Sequence, residues 1–192
     1  SSDNDNAVRY NNQLIDIWHR LANWKELGNA YHDLGRLYYY LSLYNEALAY
    51  LGKAHRYWEE IEYKWGLQIN YRYEGVCYRN QGNYMVSLEK YRHSLDIASD
   101  RQDDIGIAIS FLLIGWNYYI IGDYNNALNS YNRELSMRKE QKDEIHIPFT
   151  YTNIGLVFFQ QEDYNKAEEY LEISAKMQME IDSIITLKTL SY

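Results

Sequence analysis

The chain has 192 residues, and its 27 acidic against 19 basic residues give a formal charge of −8, a balance that disfavours a general nucleic-acid or anionic-lipid surface and leaves room for local basic patches. No stretch approaches the ~18 uncharged apolar residues of a membrane span, and the N-terminal SSDNDN lacks the basic and apolar regions of a leader. A single cysteine, Cys77, excludes an intrachain disulfide, and no asparagine is followed two positions on by Ser or Thr; both favour an intracellular, cytoplasmic setting.

Residues 5–21 read as a helix with Leu14, Ile17 and Leu21 packing inward. Tyr31, Leu34, Gly35 and Tyr38 then recur at intervals of three, one and three, along one side of a helix over about 26–40. Ser42-Leu43-Tyr44-Asn45 reads as a turn, and a second, antiparallel helix is expected over 45–60. The same pattern returns three times. Gly35, Gly75, Gly115 and Gly155 stand 40 residues apart, each followed three residues later by Tyr38, Tyr78, Tyr118 or Phe158. Tyr44, Tyr84, Tyr124 and Tyr164 keep the interval. So do the small residues Ala47, Ser87, Ala127 and Ala167, and four residues beyond them Leu51, Tyr91, Tyr131 and Leu171.

The later second helices are expected over 84–99, 125–140 and 165–181. Breaks fall near Glu60-Ile61-Glu62, Ser99 to Asp104, Lys142-Asp143 and Asp182-Ser183, and Ile184 to Leu190 begins a further first helix. Pro148 marks a helix start, where its missing N–H is tolerated. An interior helical glycine costs roughly 1 kcal/mol relative to alanine, so its recurrence calls for a reason. Close approach of the partner helix is the simplest, with the small residues Ala47, Ser87, Ala127 and Ala167 making the gap. Cys77, among Tyr73, Val76 and Tyr78, reads as a packing residue. The period never changes and no linker interrupts it, so 1–192 is read as a single domain. Its units span about 28–67, 68–107, 108–147 and 148–187, after the helix at 5–21.

The series Tyr31-x2-Leu34-Gly35-x2-Tyr38 followed by Ala47-x3-Leu51-x2-Ala54 resembles the tetratricopeptide repeat. It recurs in Gly75-x2-Tyr78 with Ser87-x3-Tyr91-x2-Ser94, in Ile114-Gly115-x2-Tyr118 with Ala127-x3-Tyr131, and in Ile154-Gly155-x2-Phe158 with Ala167-x3-Leu171-x2-Ser174. Departures are Glu74 in place of the usual leucine, Glu134 at the late small-residue position, the absent closing proline, and a period longer than the common one. The resemblance implies an all-α, right-handed superhelical solenoid of antiparallel helix pairs. It also implies a concave face, lined by first helices, that holds a peptide or helix of another protein.

Carrying that face over by register gives Asn29, His32, Asp33, Arg36, Tyr39 and Tyr40, then Arg72, Tyr73, Val76, Arg79 and Asn80. The third and fourth units add Leu112, Leu113, Trp116, Tyr119 and Ile120, then Thr152, Asn153, Leu156, Phe159 and Gln160. The binding residues expected are Arg36, Tyr39, Arg72, Arg79, Leu112, Trp116, Tyr119 and Asn153. The arginines suit an acidic segment or a carboxylate. Trp116 with Leu112, Tyr119 and Ile120 forms an apolar strip that suits an aromatic or leucine anchor. Asn153, before Ile154-Gly155, resembles the groove asparagines that hold peptide backbone in related arrays.

Catalysis has no support in the motifs. There is no Gly-x-Ser-x-Gly, Gly-x-Gly-x-x-Gly or P-loop pattern, and no cofactor is expected. The five histidines form no metal-ligating pair, His55 with Glu59 being a lone i,i+4 spacing. The acidic residues Glu59, Glu60, Glu62, Asp103, Asp104, Asp143 and Glu144 fall at connections between units, where solvent exposure is expected. The function expected is therefore a non-enzymatic protein-interaction scaffold, with a sensory or regulatory segment of a larger signalling protein as the alternative. Self-association through a terminal unit is a third option.

Overall fold

The computed structural model describes the backbone of residues 2–189 and the side chains of 6–183. Among these described residues there are nine helices and no strand: α1 (Ser2–Arg20), α2 (Trp24–Tyr40), α3 (Tyr44–Glu60), α4 (Lys64–Asn80), α5 (Tyr84–Asp100), α6 (Asp104–Ile120), α7 (Tyr124–Glu140), α8 (Ile147–Gln160) and α9 (Tyr164–Thr189). They form two compact units, Ser1–Gly106 and Ile107–Tyr192.

Every connection uses one device. After α2, Ser42 adopts φ 60°, its N–H bonds Tyr39 O, and the N–H of Leu43 reaches back to Tyr38 O. This is the Schellman ending of a helix. Ala22, Glu62, Gly82, Gln102, Gly122, Lys142 and Glu162 repeat it. The following residue then precedes the next helix, and at four connections its side chain caps it: Asn23 accepts from Glu26 N, Asp103 from Gly106 N, Asp123 from Asn126 N and Asp163 from Lys166 N. Only α8 starts late. If it began directly after Asp143, Pro148 would lie inside the helix without an N–H to donate. The chain instead turns through Glu144 to His146, and Pro148 sits in the first turn of α8.

In the first unit α2 packs on α3, α4 on α5, and α3 on α4, with α1 laid against α2. The recurrent glycines sit where the partner helix delivers a large side chain. A Cβ on Gly35 would lie 2.7 Å from Leu51 Cγ, and one on Gly75 would collide with the Tyr91 ring. The gap is thus filled by the residue four positions beyond each small one. Ala47 takes part only through its carbonyl, 3.2 Å from the same point. Ala47, Leu51 and Cys77 form a buried cluster beneath Tyr38, Tyr39, Tyr44 and Tyr73, and burial pushes the Cys77 thiol up to about 12. Trp24, Tyr57, Tyr31, Tyr50 and Tyr38 stack in succession between α2 and α3.

Glu74, the departure from the repeat pattern, is buried in an ionic network. Lys90 Nζ lies 2.9 Å and His55 Nδ1 3.4 Å from its carboxylate. His55 therefore pairs with Glu74 rather than Glu59. Burial opposes ionisation of Glu74, but the hydrogen bond from His55 and the charge of Lys90 outweigh it and hold the pKa low. On α1 the inward face runs through Leu14, Ile15 and Trp18, whereas Ile17 is 47% and Leu21 64% exposed. The inward expectation fails for those two: Ile17 lies on the opposite flank from Ile15, and Leu21 stands past the helix end.

In the second unit Gly115 meets the Tyr131 ring at 2.7 Å and Gly155 meets Leu171 Cγ at 2.9 Å from an added Cβ. Ala127, Tyr131, Leu135, Ile147, Ile154 and Val157 make the core. The helix expected to end at Asp182-Ser183 continues to Thr189. Neither residue breaks a helix, since Ser183 Oγ bonds Met179 O at 2.8 Å and Gln178 donates to Asp182 at 2.9 Å across one turn. Leu190 lies outside the described residues.

Candidate binding clefts

In each unit a cleft lies between a first helix, its following second helix and the next first helix. In the first unit a cleft of about 480 Å³ is lined by His32, Asp33 and Arg36 of α2, Trp58 of α3, and Trp65, Ile69, Arg72 and Tyr73 of α4, with Glu26 and Asn29 at one end. Trp58 is its buried floor. The indole Nε1–H donates to Lys25 O at 3.2 Å, and the ring occupies the space that side chains on Gly28 and Gly66 would need. Arg36 sits 3.5 Å from Asp33 and 5.4 Å above the Tyr73 ring. Burial acts to lower its pKa, but hydrogen bonding with Tyr40 and Tyr73 outweighs that and raises it. Burial lowers the pKa of Arg72, opposed by the charge of Asp103. Asp103 itself accepts from Gln68 Nε2 at 2.7 Å, so this connection residue is engaged rather than simply hydrated.

In the second unit a cleft of about 490 Å³ is lined by Leu112 and Trp116 of α6, Glu134 and Arg138 of α7, and His146, Phe149, Thr152 and Asn153 on and before α8. Its rim is apolar, with Trp116 46% and Phe149 58% exposed. Its floor is a buried ion pair: Arg138 Nε donates to Glu134 Oε1 at 3.1 Å, and Nη1 to Asp143. Burial raises the Glu134 pKa despite Arg138. Burial also opposes ionisation of Asp143, but hydrogen bonds from His146 and Arg138 lower its pKa. Asp143 is thus a partner in the floor, against the expectation of a freely hydrated connection.

Of the sequence-predicted residues, Arg36 and Arg72 meet in the first cleft, and Leu112, Trp116 and Asn153 in the second. Tyr39, Arg79 and Tyr119 line neither. Tyr39 and Tyr119 pack on the tyrosines that open the next helices, with ring centroids 6.3 Å from Tyr44 and 6.1 Å from Tyr124. Arg79 is half-buried; burial raises the pKa of the Tyr39 and Tyr91 hydroxyls, and the charge of Arg79 opposes that rise. His32, expected on the open face, is buried. Trp58, Trp65, Ile69, Phe149, Glu134 and Arg138 were not among the expected binding residues. Among the described residues no group of three His, Cys, Asp or Glu side chains is placed to hold a metal.

Tetratricopeptide repeat models match residues 27–62, 68–140 and 150–177. The chain belongs to the tetratricopeptide repeat family. Its fold is accordingly an all-α solenoid of antiparallel helix pairs, and solved structures share it. BtubC from P. vanneervenii has a TM-score of 0.75 at 16% identity, covering 91% of this chain and 81% of that one. A signal transduction ATPase of the STAND class with a tetratricopeptide repeat sensor, from Pyrococcus horikoshii, has a TM-score of 0.77 at 21% identity over 85% of this chain and 25% of that one. The Rap conjugation gene regulator of plasmid pLS20, solved with the Phr* peptide, has a TM-score of 0.69 at 20% identity over 79% and 42%. The chain therefore spans a quarter of the ATPase and less than half of the regulator. No curated protein matches it by sequence. Among the described residues no helix is long and apolar enough to cross a membrane.

Proposed function

We propose that this chain is a non-catalytic protein-interaction module whose clefts capture a polypeptide segment of another protein. The observation that carries the reading is the second cleft. Trp116 and Phe149 stand half-exposed beside Leu112, and Asn153 lies at the same wall with an amide that can both donate and accept. An apolar side chain of a partner would be desolvated there, as the anchors of peptide interfaces are. The first cleft adds Arg36 and Arg72 on aromatic walls, suited to an acidic residue. The solenoid similar to this one that was solved with a bound peptide supports the class of ligand. The buried, unreactive Cys77 thiol fits the reducing cytoplasm, which belongs to the same proposal.

The test is a peptide array probed with the parent chain, Arg72→Glu and Trp116→Ala. Loss of binding in both variants supports the reading; retention in both removes it. If Arg72→Glu alone fails, the acidic contact dominates. A second reading, a sensory segment serving an effector, is favoured by the similar ATPase whose repeats form its sensor. A peptide that alters an attached effector's activity through the same clefts decides for it.

A further inference from the structure

The first cleft contains a hydrogen-bond acceptor whose identity its neighbours fix. Asn70, buried on α4, places Nδ2 3.0 Å from Leu51 O and 2.9 Å from Glu74 Oε1. A main-chain carbonyl can only accept, so the amide nitrogen is the atom facing it. That turns Asn70 Oδ1 toward His32 Nδ1, at 3.0 Å. Oδ1 is again only an acceptor, and His32 must therefore carry its hydrogen on Nδ1. From behind, Lys90 and His55 hold Glu74 and so hold the amide in this orientation.

The His32 ring is packed against Trp58 and Tyr73 at centroid distances of 5.3 and 5.2 Å. Burial keeps it neutral, pushing its pKa down to about 4. A neutral imidazole with hydrogen on Nδ1 presents a lone pair at Nε2. Among the described residues that nitrogen has no hydrogen-bond partner, and the ring lines the cleft together with Arg36 and Arg72. The site thus offers one fixed acceptor beside two cationic donors.

We propose that the first-unit cleft recognises a short acidic segment through an N–H that donates to His32 Nε2 and a carboxylate that accepts from Arg36 and Arg72. Asn70 and Glu74 are positioning residues that set the tautomer. The inference rests on reading the cleft as a partner-binding site.

An array of end-blocked peptides, free of terminal charge, supplies the probes. Each binder is resynthesised with every backbone amide N-methylated in turn, and with each Asp replaced by Asn and each Glu by Gln. Affinities are measured against the parent chain and His32→Phe. One N-methylation is expected to weaken binding to the parent by about tenfold, the effect of one lost hydrogen bond in a desolvated site. The same methylation should cost little against His32→Phe, whereas the amide in place of the carboxylate that faces Arg36 and Arg72 should weaken binding to both. Binders indifferent to every N-methylation overturn the His32 inference and leave the cleft as a binding site. An array without binders removes both. Should His32→Phe fail to fold, long-range proton–nitrogen correlation spectra of the unmodified chain read the tautomer directly: hydrogen on Nδ1 supports the proposal, and hydrogen on Nε2 overturns it.

Discussion

The two clefts hold matching positions in the repeat register: His32 corresponds to Leu112, Arg36 to Trp116, Trp58 to Arg138, Ile69 to Phe149, Arg72 to Thr152 and Tyr73 to Asn153. Their chemistry is nearly reversed. The first has an aromatic floor and a charged rim; the second has a charged floor and an aromatic rim. One backbone arrangement thus presents opposite surfaces, because floor and rim residues are chosen independently of the positions that hold the helices together. Trp58 fills the space left by two glycines, whereas Arg138 must be neutralised by Glu134 and Asp143 before it can be buried.

The floors give the sharpest tests of this contrast. Trp58→Ala should cost about 3–5 kcal/mol in chemical denaturation, the usual cost of emptying a fully buried large aromatic site. Arg138→Met should cost a similar 3–5 kcal/mol or so by stranding Glu134 among buried groups. The double variant Arg138→Met/Glu134→Leu should recover much of that loss. A double variant no more stable than the single one would show that packing, rather than charge compensation, builds the second floor.

Acid separates the units next. Unfolded His32 takes up a proton near pH 6.5, but in the folded chain its pKa is about 4. Between those values the unfolded state binds more protons, so stability falls as pH drops from 6.5 toward 4, by roughly 3 kcal/mol. Glu134 works the other way. Its folded pKa is raised above the ordinary 4.5, so its contribution is fully present below 4.5 and lost as pH rises through the folded value. Denaturation curves across this range should be flatter for His32→Phe than for the parent, and Glu134→Gln should remove the opposing gain at low pH.

The smallest effect lies in the turns. Lys142, at φ 56°, occupies a left-handed position that Gly122 fills at φ 81°. Lys142→Gly should stabilise by up to about 1 kcal/mol, and Gly122→Lys should destabilise by a similar amount. Thermal melts distinguish the two signs.

The helix pairs, their turns and the glycine crossings were legible in the sequence because each recurs at fixed spacing and answers to one local need. The clefts were legible in part. Arg36, Arg72, Leu112, Trp116 and Asn153 follow from the register of the first helices. Counting on from Asn29 along that face also reaches Ile69 and Phe149, a signal present in the chain. The floors carried none: Trp58, Ala98, Arg138 and Gln178 share a register and no chemistry, so no pattern marks the position. Glu74 and Glu134 stood out only as breaks in the repeat. Asn70 and Arg138 lie one helical turn from Glu74 and Glu134, an interval present in the sequence, whereas His55 and Lys90 reach Glu74 from other helices through packing. Ile17 and Leu21 were misplaced because, without a glycine-tyrosine landmark, apolar residues on a short amphipathic helix do not fix its rotation.

The uniform helix endings limit how this chain can change in length. A residue inserted within α3 would rotate everything beyond it in that helix by about 100°, carrying Leu51 off Gly35 and Trp58 off Gly28 and Gly66 together. Single-residue insertions and deletions should therefore be excluded from the helices and confined to segments such as Glu144 to His146, where the regular reversal is already interrupted. Growth or loss elsewhere must come as whole helix-and-turn blocks.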